Sequence, residues 1–463
     1  MRHTTGIILL GMIFILGYGF SCQGDDTEMI SVSKNEWAQM QAELAAVQAN
    51  LEFQKSEVEA QKKAEAEKKR TAPQTKIGGR FYFDAAASQL NGDGEAILGD
   101  EMNGSRFRTA RLGVKGTQYE MIEYEMEIDF AGSQLLAKNV FLGLKNLPSG
   151  IDVRLGHFKE PWSMESLTSS TSTVMMERSV LNDTKNVCGG RNNGFMLHNW
   201  HSADRWTWAV GGFAASMPET FEKVDLSRNL AVTARTTFLP FFSEYAPGKY
   251  SLWHLGTSYS SRWFNQENAS ANGTSFKTGA DSSIARSVMS TGTLSGLDSL
   301  NAFLVESSWV RGPLSVDFEQ AFFWMNDEYA GDAAVQAGYA QVSYVLTGES
   351  RNYKKNGGCF GALKPDRPFV RTCRDGVGVF SGPGAWEIAY RCGWIDSGEL
   401  ACNEYSGGKM GQTVNHVMGL NWHLNQNCRV MLNYVLANTD YEGRPDGRHC
   451  REQVWETRFQ MVF

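Results

Sequence analysis

Beyond its first twenty residues the sequence holds no apolar run of about 18 or more uncharged residues, which excludes a helical membrane protein. Basic residues are not in excess. The 44 Lys and Arg stand against 51 Asp and Glu, giving a net charge of −7 and a pI near 5.7, so the basic footprint of a general nucleic-acid binder is missing. Charge is sparse at 21% and aromatic residues reach 12%, a balance that excludes a disordered chain. Enzyme signatures are missing too: there is no G-x-S-x-G elbow, no P-loop and no H-E-x-x-H. Cysteine spacings of the C-x-x-C kind that hold zinc are absent, and no cofactor is implied. The mean hydropathy of −0.34 is that of a soluble protein, but it does not exclude the membrane. A β-barrel shows lipid only every second residue and averages to such values. The length of 463 residues fits two or three ordinary domains or one large all-β unit.

What is present begins with an address. Arg2 and His3 precede an apolar stretch from Gly6 to Phe20, too short for a comfortable span, and Gly19 and Ser21 fit cleavage before Cys22. Residues 1–21 therefore read as a secretory signal peptide, with Cys22 as an alternative lipid acceptor whose lipobox is poor because Gly19 stands where Leu is wanted. Export makes disulfides available to Cys188, Cys359, Cys373, Cys392, Cys402, Cys428 and Cys450, and structural loop bridges are the expectation. Seven is odd, so one thiol stays free or Cys22 pairs.

Ile30, Trp37, Met40, Leu44, Val47, Leu51 and Val58 recur in alternating steps of four and three, which is a heptad seam. Residues 28–70 are expected to form an oligomerising coiled coil rather than a lone amphipathic helix, closed by Pro73 within the linker 71–76.

From residue 77 the period falls to two. Ile122, Tyr124, Met126, Ile128 and Phe130 alternate with Glu123, Glu125, Glu127 and Asp129, giving one oily and one wet face. Similar runs are found near 77–87, 106–117, 120–131, 137–146, 151–158, 192–200, 205–216 and 229–239. They continue near 250–263, 299–311, 313–325, 335–347, 384–395, 411–424, 427–438 and 452–463. About sixteen strands, an even number, with short turns interleaved among longer polar loops, predict an all-β, antiparallel transmembrane barrel over 77–463. The segment 348–383 is long where the alternation calls for a short turn. Trp206, Trp253, Trp309, Trp324, Trp386 and Trp422 near strand ends fit interfacial girdles, and the last strand ends on the aromatic Phe463.

If the oily face meets lipid, the other face lines a lumen. Arg80, Arg111, Arg154, Arg235, Arg391 and Arg458 fall on that face, and guanidinium rings favour anions. Asp84, Glu123, Glu125, Glu127, Asp129, Asp152 and Glu387 share it, so a mixed lumen of internal ion pairs is the competing expectation. His198 and His201 form an H-x-x-H read as strand-end surface residues, and 91–95 resembles a fragment of a calcium loop read as a flexible outer loop.

The stretch Gly156-His157-Phe158-Lys159-Glu160-Pro161-Trp162-Ser163-Met164-Glu165-Ser166-Leu167-Thr168-Ser169-Ser170, followed by Met176-Glu177-Arg178-Ser179, resembles the phosphate-selective porin O and P family. That family carries G-x-x-K-x-P-x-x-x-E-x-x-T-S-S leading to M-E-R-S, and further matches run in order to the C-terminus: residues 110–116, 344–349, 384–387, 419–422 and 433–434. The resemblance implies a sixteen-stranded homotrimeric porin of the outer membrane. Its loop 159–191 would fold inward, with Lys159, Ser169, Ser170 and Arg178 facing the permeating anion. The chain departs from the family's long arginine ladder. Three readings result: a passive channel for small anions such as phosphate or polyphosphate, a non-selective or cation-leaning porin, and an outer-membrane anchor whose stalk contacts peptidoglycan.

Overall fold

The computed structural model describes residues 33–132, 135–183, 187–214, 229–264, 276–290, 294, 296–328, 331–369, 382–398, 411–441 and 449–463. The expected signal peptide, Ile30, Cys22, Cys373 and Cys402 lie outside the described residues.

The chain forms two units, residues 1–69 and 70–463. In the first, α1 (Lys34–Thr71) is a single 38-residue helix whose apolar residues Trp37, Met40, Leu44, Val47, Leu51 and Val58 are all exposed. Ser33 and Glu36 cap its start reciprocally, Ser33 N donating to Glu36 at 2.9 Å and Glu36 N to Ser33 Oγ at 3.3 Å.

The second unit is a closed antiparallel barrel of sixteen strands in sequence order. The first eight are β1 (Gln74–Leu90), β2 (Asn103–Gln118), β3 (Ile122–Asp129), β4 (Leu136–Leu147), β5 (Ile151–Lys159), β6 (Arg191–His198), β7 (Trp206–Ala214) and β8 (Asn229–Ala246). The rest are β9 (Lys249–Phe264), β10 (Leu297–Arg311), β11 (Leu314–Asp327), β12 (Gly331–Val345), β13 (Ala385–Asp396), β14 (Gly411–His423), β15 (Cys428–Tyr441) and β16 (His449–Val462). The ring closes where β1 pairs with β16 from Arg80↔Val462 to Leu90↔Glu452, and Gly79 and Phe463 exchange backbone bonds at 2.9 and 3.0 Å.

Alternation along the strands explains the ring. Met126, Leu142, Leu155, Trp253, Trp263, Trp324, Met418 and Trp455 point outward and stay exposed, a band suited to lipid. The acidic residues of β3 point inward. The inner face is not uniformly polar, however. Leu300, Ala302, Leu304, Ala321, Phe323, Val335 and Ala337 are buried inside the ring under Trp162, Val180, Phe276 and Val288, which belong to connecting segments. The wet inner face expected of every strand is therefore replaced over part of β10–β12 by a hydrophobic core, because chain packs against it there, while Glu306, Asp317 and Glu319 on the same strands keep the rest polar.

Two expectations are corrected. Cys188, Cys359, Cys392, Cys428 and Cys450 are free, since the ring distributes them over separate strands and segments. Residues 92–98 form a short helix, α2 (Gly92–Leu98), whose N-cap Asn91 accepts from Gly94 N at 2.9 Å, rather than a flexible loop.

Candidate functional site

Three connecting segments lie against the inward residues of β8–β16. The first joins β5 to β6 and contains two one-turn helices, α3 (Met164–Leu167) and α4 (Val180–Asp183). It receives hydrogen bonds from a succession of strands: Arg429 of β15 to Thr173 O at 2.7 Å, Asn421 of β14 to Val174 O at 2.8 Å and Arg391 of β13 to Glu177 O at 3.0 Å. The second, around residues 276–290, is tied by Asp281 to Arg391 (2.8 Å) and Asn415 (3.1 Å). The third is the long connection after β12, the segment out of step with the alternation of loop lengths. It carries a small hairpin at Tyr353–Lys354 and Cys359–Phe360 and bonds to the inner wall through Arg351 to Asp317 (2.5 Å) and Tyr353 to His254 (2.7 Å). It enters from the opposite end to the first segment and meets it where Phe360 N donates to Thr168 Oγ1 at 3.2 Å.

What these segments leave is a cavity of about 240 Å³ against β1–β6. Its lining holds seven arginines and one lysine, Arg80, Arg108, Arg111, Arg154, Arg178, Arg191, Arg458 and Lys159, against two glutamates, Glu127 and Glu177. Ser169, Ser170, Tyr82 and Thr109 add hydroxyls. Eight of the ten residues expected from sequence to face a solute thus converge on one space.

Their partners differ in kind. Arg111 holds Asp129 at 2.7 Å and Glu127 at 3.1 Å, while Arg80 pairs with Glu127 and donates to Ser169 Oγ at 3.1 Å. Arg154 pairs with Glu123 at 2.9 Å and lies 4.1 Å above the Phe141 ring. Glu125 accepts from Asn139 at 2.8 Å, so each acid of the β3 row has a partner. Arg458 bridges Asp84 and Glu177, both at 2.6 Å, and Arg108 grips the same Glu177 at 2.9 and 3.0 Å. Ser170 Oγ lies 3.1 Å from the Tyr82 hydroxyl.

Lys159 and Arg178 stand apart. Lys159 donates to Ser166 O, and Arg178 donates to Glu165 O at 3.0 Å and Thr168 O at 2.7 Å. Neither makes an ion pair with a carboxylate among the described residues. Burial draws Arg178 below its ordinary value while Glu165 and Glu177 pull the other way. For Glu177, burial works to raise the carboxyl, but Arg108 and Arg458 prevail and hold it well below the usual range. A depressed carboxylate contributes stability above its unfolded value of about 4.3 and loses it only as the pH falls through the lower folded value. Reversal potentials in a KCl gradient are accordingly expected to be flat from pH 8 to about 4 as far as Glu177 is concerned. A titration near the ordinary carboxylate range that Glu177→Gln abolishes would contradict this.

Arg235 and Arg391 point inward but stand outside the cavity. Arg235 clamps Glu306 at 2.5 Å and the carbonyls of Gly357 and Gly358 at 2.8 and 2.7 Å. Arg391 clamps Asp281 at 2.8 Å and Glu165 at 3.2 Å. His198 is 0% exposed, 3.3 Å from Asp152 and tilted against the Trp200 ring, not the surface residue expected; His201 is exposed, as expected, and lies 2.9 Å from the same carboxylate.

Two lining residues escaped the sequence reading. Strict alternation puts Arg108 on the outer face with Ala110 and Leu112. The register slips at Tyr82/Phe83, where Tyr82 pairs with Thr109 and Phe83 with Phe107, and this bulge turns Arg108 inward. Arg191 opens β6 opposite Lys159, one residue before the strand expected from periodicity.

A closed sixteen-stranded barrel with a lipid-facing apolar band and a charged interior is a porin, a channel of the outer membrane. The chain belongs to the family "Phosphate-selective porin O and P", whose model matches residues 75–463. It is 23% identical over 427 residues to Porin O of Pseudomonas aeruginosa, covering 84% of this chain and 88% of that protein. Among solved structures it resembles the outer-membrane channel DcaP of Acinetobacter baumannii, with a TM-score of 0.48 at 12% identity over 85% of this chain and 98% of that one. Salmonella typhi OmpF, in complex with daunomycin, gives a TM-score of 0.48 at 12% identity over 84% and 97%.

Proposed function

We propose that this porin passes small oxyanions by diffusion, phosphate and polyphosphate foremost, and that the segment 159–191 narrows its lumen to a basic passage. The observation that carries the reading is the pair Lys159 and Arg178, two cations committed only to backbone carbonyls within a cavity where arginine outnumbers glutamate. An anion entering there gains charge-assisted bonds that the protein leaves open, beside the Ser169 and Ser170 hydroxyls. The pairing of each acid on β3 removes the main argument for a cation-leaning pore. Planar-bilayer recordings test this: an anion-selective reversal potential in a KCl gradient, with chloride current blocked by inorganic phosphate, is expected. A cation-selective reversal without phosphate block would overturn the selectivity, and absence of conductance would leave only an anchor.

We further propose a homotrimer exported by the segment 1–21. Strands β3, β5, β6 and β7 have only 8 or 9 residues whereas β8 and β9 have 18 and 16, and a strand needs about 9–11 to cross the hydrocarbon when tilted. This low wall, with Met126, Leu142, Leu155, Phe195 and Val210 exposed on its outer side, suits neighbouring subunits better than lipid. The uncovered seam of α1 suits a three-stranded coiled coil in contact with peptidoglycan. Combining Leu142→Arg with Leu155→Arg is expected to convert trimers to monomers on semi-native gels while the barrel keeps its heat-modifiable mobility. Persistence of the trimer would contradict the assignment of this wall.

A further inference from the structure

The segment that carries Ser169, Ser170 and Arg178 begins in the single turn α3, whose first amides have no partner within the helix. They are satisfied across the lumen. Met164 N donates to Glu306 of β10 at 2.8 Å, and Glu165 N donates to Glu319 of β11 at 2.8 Å. Both carboxylates are buried, at 3% and 0% exposure. Glu306 is braced from behind by Arg235 at 2.5 Å and His254 at 3.0 Å. Glu319 accepts from the Tyr339 hydroxyl at 2.8 Å besides the Glu165 amide, with the Ser163 side chain beside it, and its second oxygen is buried without a well-placed hydrogen-bond partner among the described residues.

An unsatisfied carboxylate oxygen in a dry interior is costly, so a stable fold without another use for it would replace this side chain by an apolar one. The use is visible one residue on. The Glu165 carboxylate accepts from Ser179 Oγ at 2.7 Å and from Asn182 at 2.5 Å, which closes the segment into a loop and fixes Arg178 next to Ser179. The chain of contacts therefore runs from the β10–β11 wall, through two amides, to the guanidinium in the passage.

We propose that Glu306 and Glu319 are positioning residues for permeation: wall carboxylates that clamp the amides of Met164 and Glu165 and thereby set where Ser169, Ser170 and Arg178 stand. A carboxyl group suits this task because its oxygen accepts from an amide that the turn leaves open, and Glu306, paired with Arg235, does so as a charged acceptor. The arm of the test that uses phosphate rests on the anion reading above, whereas the arm that uses conductance does not.

The experiment compares the full chain with Glu319→Met, which removes the acceptor at similar volume, and with Glu319→Gln, which keeps one. Single-channel chloride conductance and the concentration of inorganic phosphate that halves it are read in planar bilayers. Leaving the buried Glu165 amide without its acceptor is worth about tenfold in an equilibrium, so Glu319→Met is expected to raise the half-blocking concentration about tenfold, with conductance raised and noisier. Glu319→Gln should return both to within about twofold of the parent. Met164→Pro, which deletes the amide facing Glu306 at a position where proline begins a helix and exchanges one buried apolar side chain for a smaller one, serves as the second variant if Glu319→Met does not fold, and is expected to act in the same direction. Unchanged conductance and block in the folded variants would overturn the proposal, as would Glu319→Gln behaving like Glu319→Met. If the parent shows no phosphate block, the anion reading fails and the clamp is judged on conductance: a rise in Glu319→Met restored by Glu319→Gln supports it, and no change overturns it.

Discussion

Arg178→Glu is expected to invert the ion preference of the pore and abolish phosphate block. The substitution exchanges a cation without a carboxylate partner for an anion, a change of two charges in a cavity of about 240 Å³. At 5 Å and an effective dielectric constant near 20, each unit of charge is worth roughly 3 kcal/mol to a permeating ion, before screening by salt and by the other arginines reduces it. Even about half of that exceeds a tenfold change in the anion-to-cation permeability ratio. Arg178 also holds the carbonyls of Glu165 and Thr168, so part of any effect is positional. Arg178→Gln and Lys159→Gln separate the contributions, because Lys159 has a single carbonyl bond to lose. Intermediate loss of anion preference in both is expected, read as the reversal potential at low and high KCl. An unchanged reversal potential in Arg178→Glu would remove this residue from the passage.

The second large effect concerns stability. Arg262 of β9 is paired with Glu160, which also accepts from Thr233 at 2.7 Å and from Asn192, and the side chains are 1% and 0% exposed. Arg262 additionally donates to Cys188 Sγ at 3.2 Å. Arg262→Met leaves Glu160 as a buried charge with neutral partners only, which costs about 3–5 kcal/mol, whereas removing both charges together is often close to neutral. Arg262→Met should therefore unfold at clearly lower denaturant in detergent, followed by tryptophan fluorescence, and Glu160→Met in the same chain should recover most of the loss. Equal midpoints for the single variant and the parent would show that the pair carries no such strain. The cycle also asks whether Glu160 seats the start of the segment, since Glu160 N bonds to Gly190 O at 3.0 Å and joins its two ends.

Much of the ring was legible because each strand advertises a period of two, and all sixteen strands fall within a few residues of those runs. The extra length of β8, to Ala246, was not, since Pro240 and the aromatic pair Phe241-Phe242 interrupt the alternation and the register shifts there. The passage was legible in outline for the same reason: Arg80, Arg111, Arg154 and Arg458 show their face by parity alone. Parity does not say what a side chain meets. Arg235 and Arg391 have the same pattern as Arg80, yet their partners, Glu306 and Asp281, lie 71 and 110 residues away and consume them. Arg108 was hidden because a one-residue bulge reverses parity without a signature in composition. The apolar inner faces of β10–β12 were equally hidden, because in a lone strand an oily second face has no stated occupant.

The segment entering after β12 and the one entering after β5 meet at Thr168 and Phe360, where Met164, Tyr353 and Phe360 pack against Leu239, Leu252 and Val310 of the wall. On the proposed reading a solute does not sample the girth of the barrel. It would follow a track with fixed strands on one flank and tethered chain on the other, and the throughput of the pore would be set by how much chain is stowed inside the ring. Lengthening or trimming a connection would retune it while every strand, and every contact with lipid, stayed as it is.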